Sequence, residues 1–301
     1  MKSISMSFDH FGGPDVLVAG EEDLPAPGDA EVQVKVRAIA VNPLDWKLVA
    51  GYLESFFPLP LPAVPGCEAA GTVTAVGSGV SAFGVGDDVI WNGLAGGYRS
   101  VANFPAGQLT SKPAGLDFEQ AACVAIAGGT AYSALVQLGV GAGDTVLIHG
   151  AAGGVGSASV QIARNLGARV IGTASEPNHE YLRGLGAEPV AYGDGLAERV
   201  RSLGSVTAVV DTVGGQESTA ATVALLGGHG TAVTTVPAEE SNAAGVAPVR
   251  QLDGRVAQAA RLAAEGRLRF HIHDRIPLTG AARALGISRG GHVRGKIVLI
   301  P

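Results

Sequence analysis

The chain has 301 residues, 47% hydrophobic and 16% charged, with 21 Lys plus Arg against 27 Asp plus Glu and a formal net charge of −6. That length holds about two domains, each able to bury a core. Five scattered lysines and an acidic balance exclude the clustered cations of a nucleic-acid face. Two cysteines are too few for a disulfide framework or a four-thiolate zinc lobe and point to a reducing cytoplasmic setting. No apolar run precedes Asp9 that would serve as a signal peptide.

From Glu31 to Val41 apolar and polar residues alternate with the strand period of two, which predicts a strand with one buried face. Further strands are expected at 71–76 and after the Gly84-Val85-Gly86 turn, so the first third reads as a mostly β unit. The proline-studded stretch 56–66 reads as an ordered loop walling a pocket rather than a polyproline ligand. Residues 111–117 mark a boundary. The uncharged stretch 121–143 is diluted by glycine and polar side chains, and reads as a buried helix with its turns, not as a membrane span.

Beyond it the period changes to alternating strands and helices, the pattern of a doubly wound parallel sheet. Thr145–His149 is apolar until its last residue, as a strand covered on both faces should be. It runs into Gly150-Ala151-Ala152-Gly153-Gly154-Val155-Gly156, then a helical stretch over 157–166 and a second strand over 168–173. This is the order of a dinucleotide fingerprint, in which glycines admit backbone to the pyrophosphate and the helix N-terminus offers unpaired N–H groups. Gly150, Ala152, Gly153, Gly154, Val155 and Gly156 are therefore candidate cofactor contacts, with Thr173 at the end of the second strand. Eighteen residues past Gly156 stands Ala174, not an acid. A ribose 2′-phosphate is thus admitted, Ser175 is placed to donate to it, and NADPH is favoured over NADH. Glu176 argues against that preference, and Asn178, His179 and Tyr192 are side chains that offset it. Later strands are expected at 209–211 and 231–236, and a helix over 252–263 that Gly266 stops.

Residues 41–47 (Val-Asn-Pro-Leu-Asp-Trp-Lys), 65–71 (Pro-Gly-Cys-Glu-Ala-Ala-Gly), the 150–156 loop and the close 291–299 (Gly-His-Val-Arg-Gly-Lys-Ile-Val-Leu) resemble the medium-chain dehydrogenase/reductase superfamily, in its zinc-free quinone oxidoreductase branch. The resemblance implies a GroES-like catalytic domain over 1–116 and 266–301, a Rossmann domain over 117–265, an active-site cleft between them, and a homodimer. It places Asn42 beside the nicotinamide and ribose, and Lys47 and Tyr52 toward the substrate as hydrogen-bond or proton donors, with Trp46 on the same stretch; Asp45 itself reads as a residue that fixes a turn. It adds Thr130, Thr212, Thr234 and Lys296 as cofactor contacts.

The zinc-dependent relatives' ligand positions fall near Asn42 to Leu44, at Cys67 and around Ile126, so at most one ligand survives and no metal is expected. Cys67 then reads as a small residue lining the cleft, and His271 and His273, on a strand expected over 269–274, as a pair without a third ligand. Hydride transfer to a quinone or an enone is the activity so implied. An enoyl-thioester reductase and a non-enzymatic NADPH-binding, redox-sensing module are the alternatives. The strand that pairs across the family's dimer would lie near 237–245, where the polar Pro-Ala-Glu-Glu-Ser-Asn-Ala-Ala-Gly makes a poor strand.

Overall fold

The computed structural model describes residues 1–301, and the chain divides into two compact units, Met1–Ile126 with His271–Pro301, and Ala127–Phe270. These limits lie later than the 116/117 and 265/266 limits expected from the sequence. At the first, the Phe118–Ala122 helix packs against strands Glu31–Val41 and Glu68–Val76 and so stays with the first unit.

The first unit contains β1 (Lys2–Ser7), β2 (Val18–Asp23), β3 (Glu31–Val41), α1 (Pro43–Val49), β4 (Glu68–Val76), β5 (Asp88–Asn92), β6 (Val101–Pro105), β7 (Leu109–Ser111) and α2 (Phe118–Ala122). The second holds α3 (Gly129–Gln137), β8 (Thr145–His149), α4 (Gly154–Asn165), β9 (Arg169–Thr173), α5 (His179–Gly184), β10 (Glu188–Val190), α6 (Leu196–Arg201), β11 (Ala208–Asp211), α7 (Gly215–Leu226), β12 (Thr231–Thr234), α8 (Glu239–Ala243), β13 (Ala247–Pro248) and α9 (Arg255–Ala264). The chain then returns to the first unit with β14 (Ile272–Pro277), α10 (Ala281–Gly290) and β15 (Lys296–Ile300).

In the first unit the sheet order is β14-β15-β3-β4-β5-β7, with β6 also on β3, while β1 and β2 form a separate hairpin. The alternating residues of β3 supply Val32, Val34 and Val36 to one buried face, where they meet Val73, Val89 and Phe104. Trp91 stacks on Phe104 with ring centroids 4.1 Å apart and an interplanar angle of 12°. The C-terminal strand β15 lies antiparallel to β3, with Ile297 opposite Val41. This register brings residue 296 to the end of β3, where α1 begins.

The second unit is a six-stranded sheet, every pairing parallel, in the order β10-β9-β8-β11-β12-β13. In chain order this is 3-2-1-4-5-6, the doubly wound order whose direction reverses between the first and fourth strands. Both faces of β8 and β11 are buried, which explains the apolar runs Val146–Ile148 and Ala208–Val210. Gln137 and Leu138 end α3, and no helix in the protein is long and apolar enough to cross a membrane.

Three elements depart from the sequence expectations. Residues 269–271 are not in a strand, because Gln161 satisfies the Arg269 backbone from its side chain, donating to the carbonyl and accepting from the amide at 2.9 Å each; β14 begins at Ile272. The helix expected from 252 begins at Arg255, because Gly254 adopts φ +73 and the Leu252 amide donates instead to Ser133 Oγ. Within 237–245 stands α8, its start closed by the Ala238 amide on Ser241 Oγ at 3.0 Å, with the two-residue β13 after it.

Trp91 is 2% exposed and belongs, with Phe104, to the apolar core of the first unit. Truncating it to alanine is expected to destabilise the protein by about 3–5 kcal/mol, measured as a lower urea midpoint with an unchanged slope.

Candidate functional site

The second unit gathers backbone donors at the point where its strand order reverses. β8 ends at His149 and β11 at Asp211, and Thr212 Oγ1 donates to the His149 carbonyl at 2.7 Å, tying the two strand ends together. Gly150 follows with φ +69; its amide donates to Thr173 Oγ1 at 3.1 Å and the Ala151 amide to the Thr173 carbonyl at 2.9 Å. Gly153 is the N-cap of α4 and supplies no side-chain cap. The amides of Gly154, Val155 and Gly156 open that helix, and a helix's first amides have no partner within it. Gly153, Gly154 and Val155 are partly exposed, so these donors and the positive end of the helix dipole are accessible to an anion. Ala152, mostly buried, lines the turn. Gly156 is dictated by contact: a Cβ there would lie 2.2 Å from the Gly150 carbonyl oxygen. Gly153 differs, since its Cβ would meet only that oxygen, at 3.5 Å, and the space beside it is open.

The four threonine hydroxyls are each engaged within the protein. Thr173 and Thr212 hold the Gly150 turn as described. Thr234 Oγ1 accepts from the Val236 amide at 3.0 Å, and Thr130 Oγ1 accepts from Gln251 Nε2 at 3.2 Å. Beyond β9, Ser175 Oγ accepts from Asn178 Nδ2 at 3.1 Å, which leaves its own proton to give, and His179 Nε2 lies 3.2 Å from the Ala174 carbonyl. Glu176 is exposed. Tyr192, 52% exposed, stands on a turn that Arg199 clamps by donating to the carbonyls of Ala191 and Asp194 at 2.9 and 2.6 Å. Sequence reasoning passed over Arg199, because nothing local distinguishes it from a solvated helix arginine. It also passed over His149, buried with Nε2 3.2 Å from Thr222 Oγ1; burial lowers its pKa against the pull of Asp211 and Glu217, which keeps it neutral.

In the first unit a buried polar cluster surrounds the start of α1. Asp45 Oδ2 accepts from the Asn42 amide at 2.8 Å and from Tyr98 Oη at 3.0 Å. That bond from the N-cap amide to the third helical residue is half of a capping box. Asn42 Nδ2 donates to the Ala40 carbonyl at 3.2 Å and to Glu68 Oε1 at 3.0 Å, while its Oδ1 accepts from Lys296 Nζ at 2.6 Å. Lys296 also donates to Glu68 Oε1 at 3.0 Å and to the Val41 carbonyl at 3.1 Å. All three ammonium protons are thereby taken, which leaves Lys296 none for a cofactor. Burial pulls its pKa down and the surrounding groups, Glu68 foremost, together more than reverse this, so Lys296 stays charged.

Cys67 is fully buried, not a residue of a cleft wall. Its thiol donates to the Leu94 carbonyl at 3.0 Å, and burial with the Asp45 charge pushes its pKa far above that of a reactive thiol. The Ile126 amide donates to Glu68 Oε2 at 2.7 Å. No three His, Cys, Asp or Glu side chains are grouped to hold a metal, and His271 and His273 lie exposed beside a bulge in β14.

Trp46 joins the other two candidate side chains, with the Lys47 ammonium 5.7 Å from its ring centroid and Tyr52 edge-on at 5.8 Å. Tyr52 is 63% exposed. The 56–66 loop is anchored near its far end, where Phe8 and Ala63 exchange backbone hydrogen bonds at 2.9 Å, and it begins with the exposed Phe56 and Phe57.

The alcohol dehydrogenase GroES-like domain matches residues 28–137 and the zinc-binding dehydrogenase family matches 185–299. Quinone oxidoreductase from Coxiella burnetii has a structure 30% identical in sequence, with a TM-score of 0.88 over all of both chains. The chain belongs to the quinone oxidoreductase branch of the medium-chain dehydrogenase/reductase superfamily. The Escherichia coli quinone oxidoreductase complexed with NADPH is similar as well, at 29% identity and a TM-score of 0.86 over all of both chains. Human quinone oxidoreductase is 43% identical over 167 residues, 54% of this chain and 50% of that protein; the chain thus spans about half the length of the curated relatives it matches in this way.

Burial raises the Asp45 pKa from 3.8 to about 6, against the influence of the neighbouring Cys67 thiol, Asn42 amide and Tyr98 hydroxyl, which favour the charged form. A carboxyl with a raised folded-state pKa binds more protons folded than unfolded between about pH 4 and 6, so its contribution to stability is present at low pH and lost as pH rises through that window. The loss is up to about 3 kcal/mol. Asp45→Asn keeps an acceptor for Asn42 and Tyr98 and removes the titration. Thermal melts from pH 4 to 7.5 should show that falling component in the wild type and not in the variant.

Proposed function

We propose that the protein is a zinc-independent, NADPH-dependent oxidoreductase that delivers hydride to a quinone or to the β-carbon of an enone. The observation that carries this reading is the uncapped start of α4 behind the Gly150–Gly156 close approach, an anion cradle at the strand reversal. The cradle fits a dinucleotide: open amides, no carboxylate within the loop, and room at Gly153 for a diphosphate to approach the backbone. When bound, the cofactor supplies hydride from its nicotinamide ring.

The chain's own residues then do the following. The first-turn amides of α4, from Gly154 to Gly156, hold the diphosphate. Ser175 donates its free proton to the 2′-phosphate, with Tyr192 on the clamped turn as a further contact, while Glu176 is exposed. Asn42 serves the nicotinamide end. Lys47 or Tyr52, both beside Trp46, donates a hydrogen bond or a proton to the acceptor carbonyl, which stabilises the oxyanion that conjugation spreads. The donor set supports a route without zinc, because Cys67 is spent on the Leu94 carbonyl and has no companion ligands. A homodimer fits the two-residue β13 at the sheet edge.

Gly153→Asp tests the cradle separately from the fold. An aspartate at an N-cap position caps the helix, so the melting temperature should hold or rise. Its charge competes for the same amides, so NADPH affinity should fall on the order of 100-fold; undiminished binding by fluorescence titration would refute the loop's role. Ser175→Ala should weaken NADPH by roughly two- to tenfold, the worth of one hydrogen bond, and leave NADH unchanged. Equal losses for both nucleotides would remove the basis for the NADPH preference.

A further inference from the structure

Asn42 has almost no hydrogen-bonding capacity left. A side-chain amide offers two N–H donors and one oxygen with two lone pairs. Both protons are given, to the Ala40 carbonyl and to Glu68 Oε1, and one lone pair of Oδ1 accepts from Lys296 at 2.6 Å. The amide cannot turn over, because its oxygen would then face the Glu68 carboxylate and its nitrogen the ammonium, two repulsive contacts in place of two attractive ones. Glu68 and Asn42 are 0% and 3% exposed, and Lys296 4%, so water screens neither contact. Glu68 is itself fixed from behind by the Ile126 amide on Oε2.

We propose that Glu68 and Lys296 are a pair of positioning residues that lock the Asn42 side-chain amide in one orientation, so that Asn42 meets a ligand only as an acceptor, through the second lone pair of Oδ1. The ligand group it takes is therefore a donor, a hydroxyl or an amide N–H, and not a carbonyl or phosphate oxygen. The use of that acceptor in catalysis rests on the NADPH reading above; the lock itself does not.

The lock is read by hydrogen exchange of the Asn42 side-chain protons in protein labelled with 15N-asparagine, the signal being assigned by its loss in Asn42→Ala. Slow exchange is expected in the wild type, comparable to core backbone amides. In the double variant Glu68→Leu/Lys296→Met, which strands no buried charge, exchange should be fast. Fast exchange in the wild type overturns the lock on its own, whether or not the double variant folds.

The functional consequence is read as a cycle of NADPH dissociation constants. Asn42→Ala and the double variant should each weaken binding by roughly two- to tenfold, and the triple variant should be no weaker than either, because both act through one acceptor. Losses that multiply in the triple variant would show that Glu68 and Lys296 act independently of Asn42 and would overturn the proposal. A wild-type protein that binds no NADPH but protects its Asn42 amide would sink the functional reading and leave the lock standing.

Discussion

A lysine ammonium without water needs its whole hydration shell replaced, and that requirement organises the first unit. Lys296 stands on the last strand, and the oxygens that replace its water come from Val41 at the end of β3, Asn42 at the start of α1 and Glu68 at the start of β4. A buried ion pair repays its desolvation only where the remaining lone pairs and protons are also satisfied. Here they are, since the second Glu68 oxygen takes the Ile126 amide and the Asn42 nitrogen takes the Ala40 carbonyl. The antiparallel register of β15 on β3 is what delivers residue 296 to this place. The C-terminal strand thus contributes to the unit a charge that its neighbours must be shaped to receive, besides an added apolar row.

The second unit rests on the opposite kind of constraint, the exclusion of side chains. Gly156 admits no Cβ because the Gly150 carbonyl is already there, and Gly150 takes a positive φ that turns the chain off the end of β8. The hydroxyls of Thr173 and Thr212, from the strands on either side, hold that turn. The result is a helix that begins with backbone and nothing else, so its partial positive charge is left for an anion from outside.

How much of this was legible in the sequence follows from how local each signal is. The strand, loop and helix from Thr145 to Asn165 carry their own evidence: an apolar run, glycines at fixed offsets, and then helical spacing. Asp45 as a turn-fixing residue was legible for the same reason, three positions from the Asn42 amide it caps. The Lys296 cluster was not, because its members stand 254 and 228 residues apart along the chain and only a strand register brings them together. The family resemblance placed Lys296 and Asn42 in the site without revealing that they hold each other. The start of β14 was misread for a related reason, since Gln161 replaces strand partners for Arg269 from 108 residues away. No pattern of hydrophobicity encodes such a bond.

Glu68 and Asp45 show how one buried region treats two carboxylates differently. Glu68 shares its place with an ammonium 3.0 Å away. Asp45 has neutral groups beside it, the Asn42 amide and the Tyr98 hydroxyl bonded to one oxygen and the Cys67 thiol nearby, with the Lys296 charge a smaller influence. Neutral donors compensate a buried charge less than a cation does, so burial dominates at Asp45 and raises its pKa. Both carboxylates touch Asn42, Asp45 at its backbone and Glu68 at its side chain. The backbone contact tolerates protonation, because a carboxylic acid still has an oxygen to accept with. The side-chain contact is held by a charge pair and does not depend on Asp45. A change of pH near 6 therefore alters the cost of burying Asp45 while the Asn42 amide keeps the orientation that Glu68 and Lys296 impose.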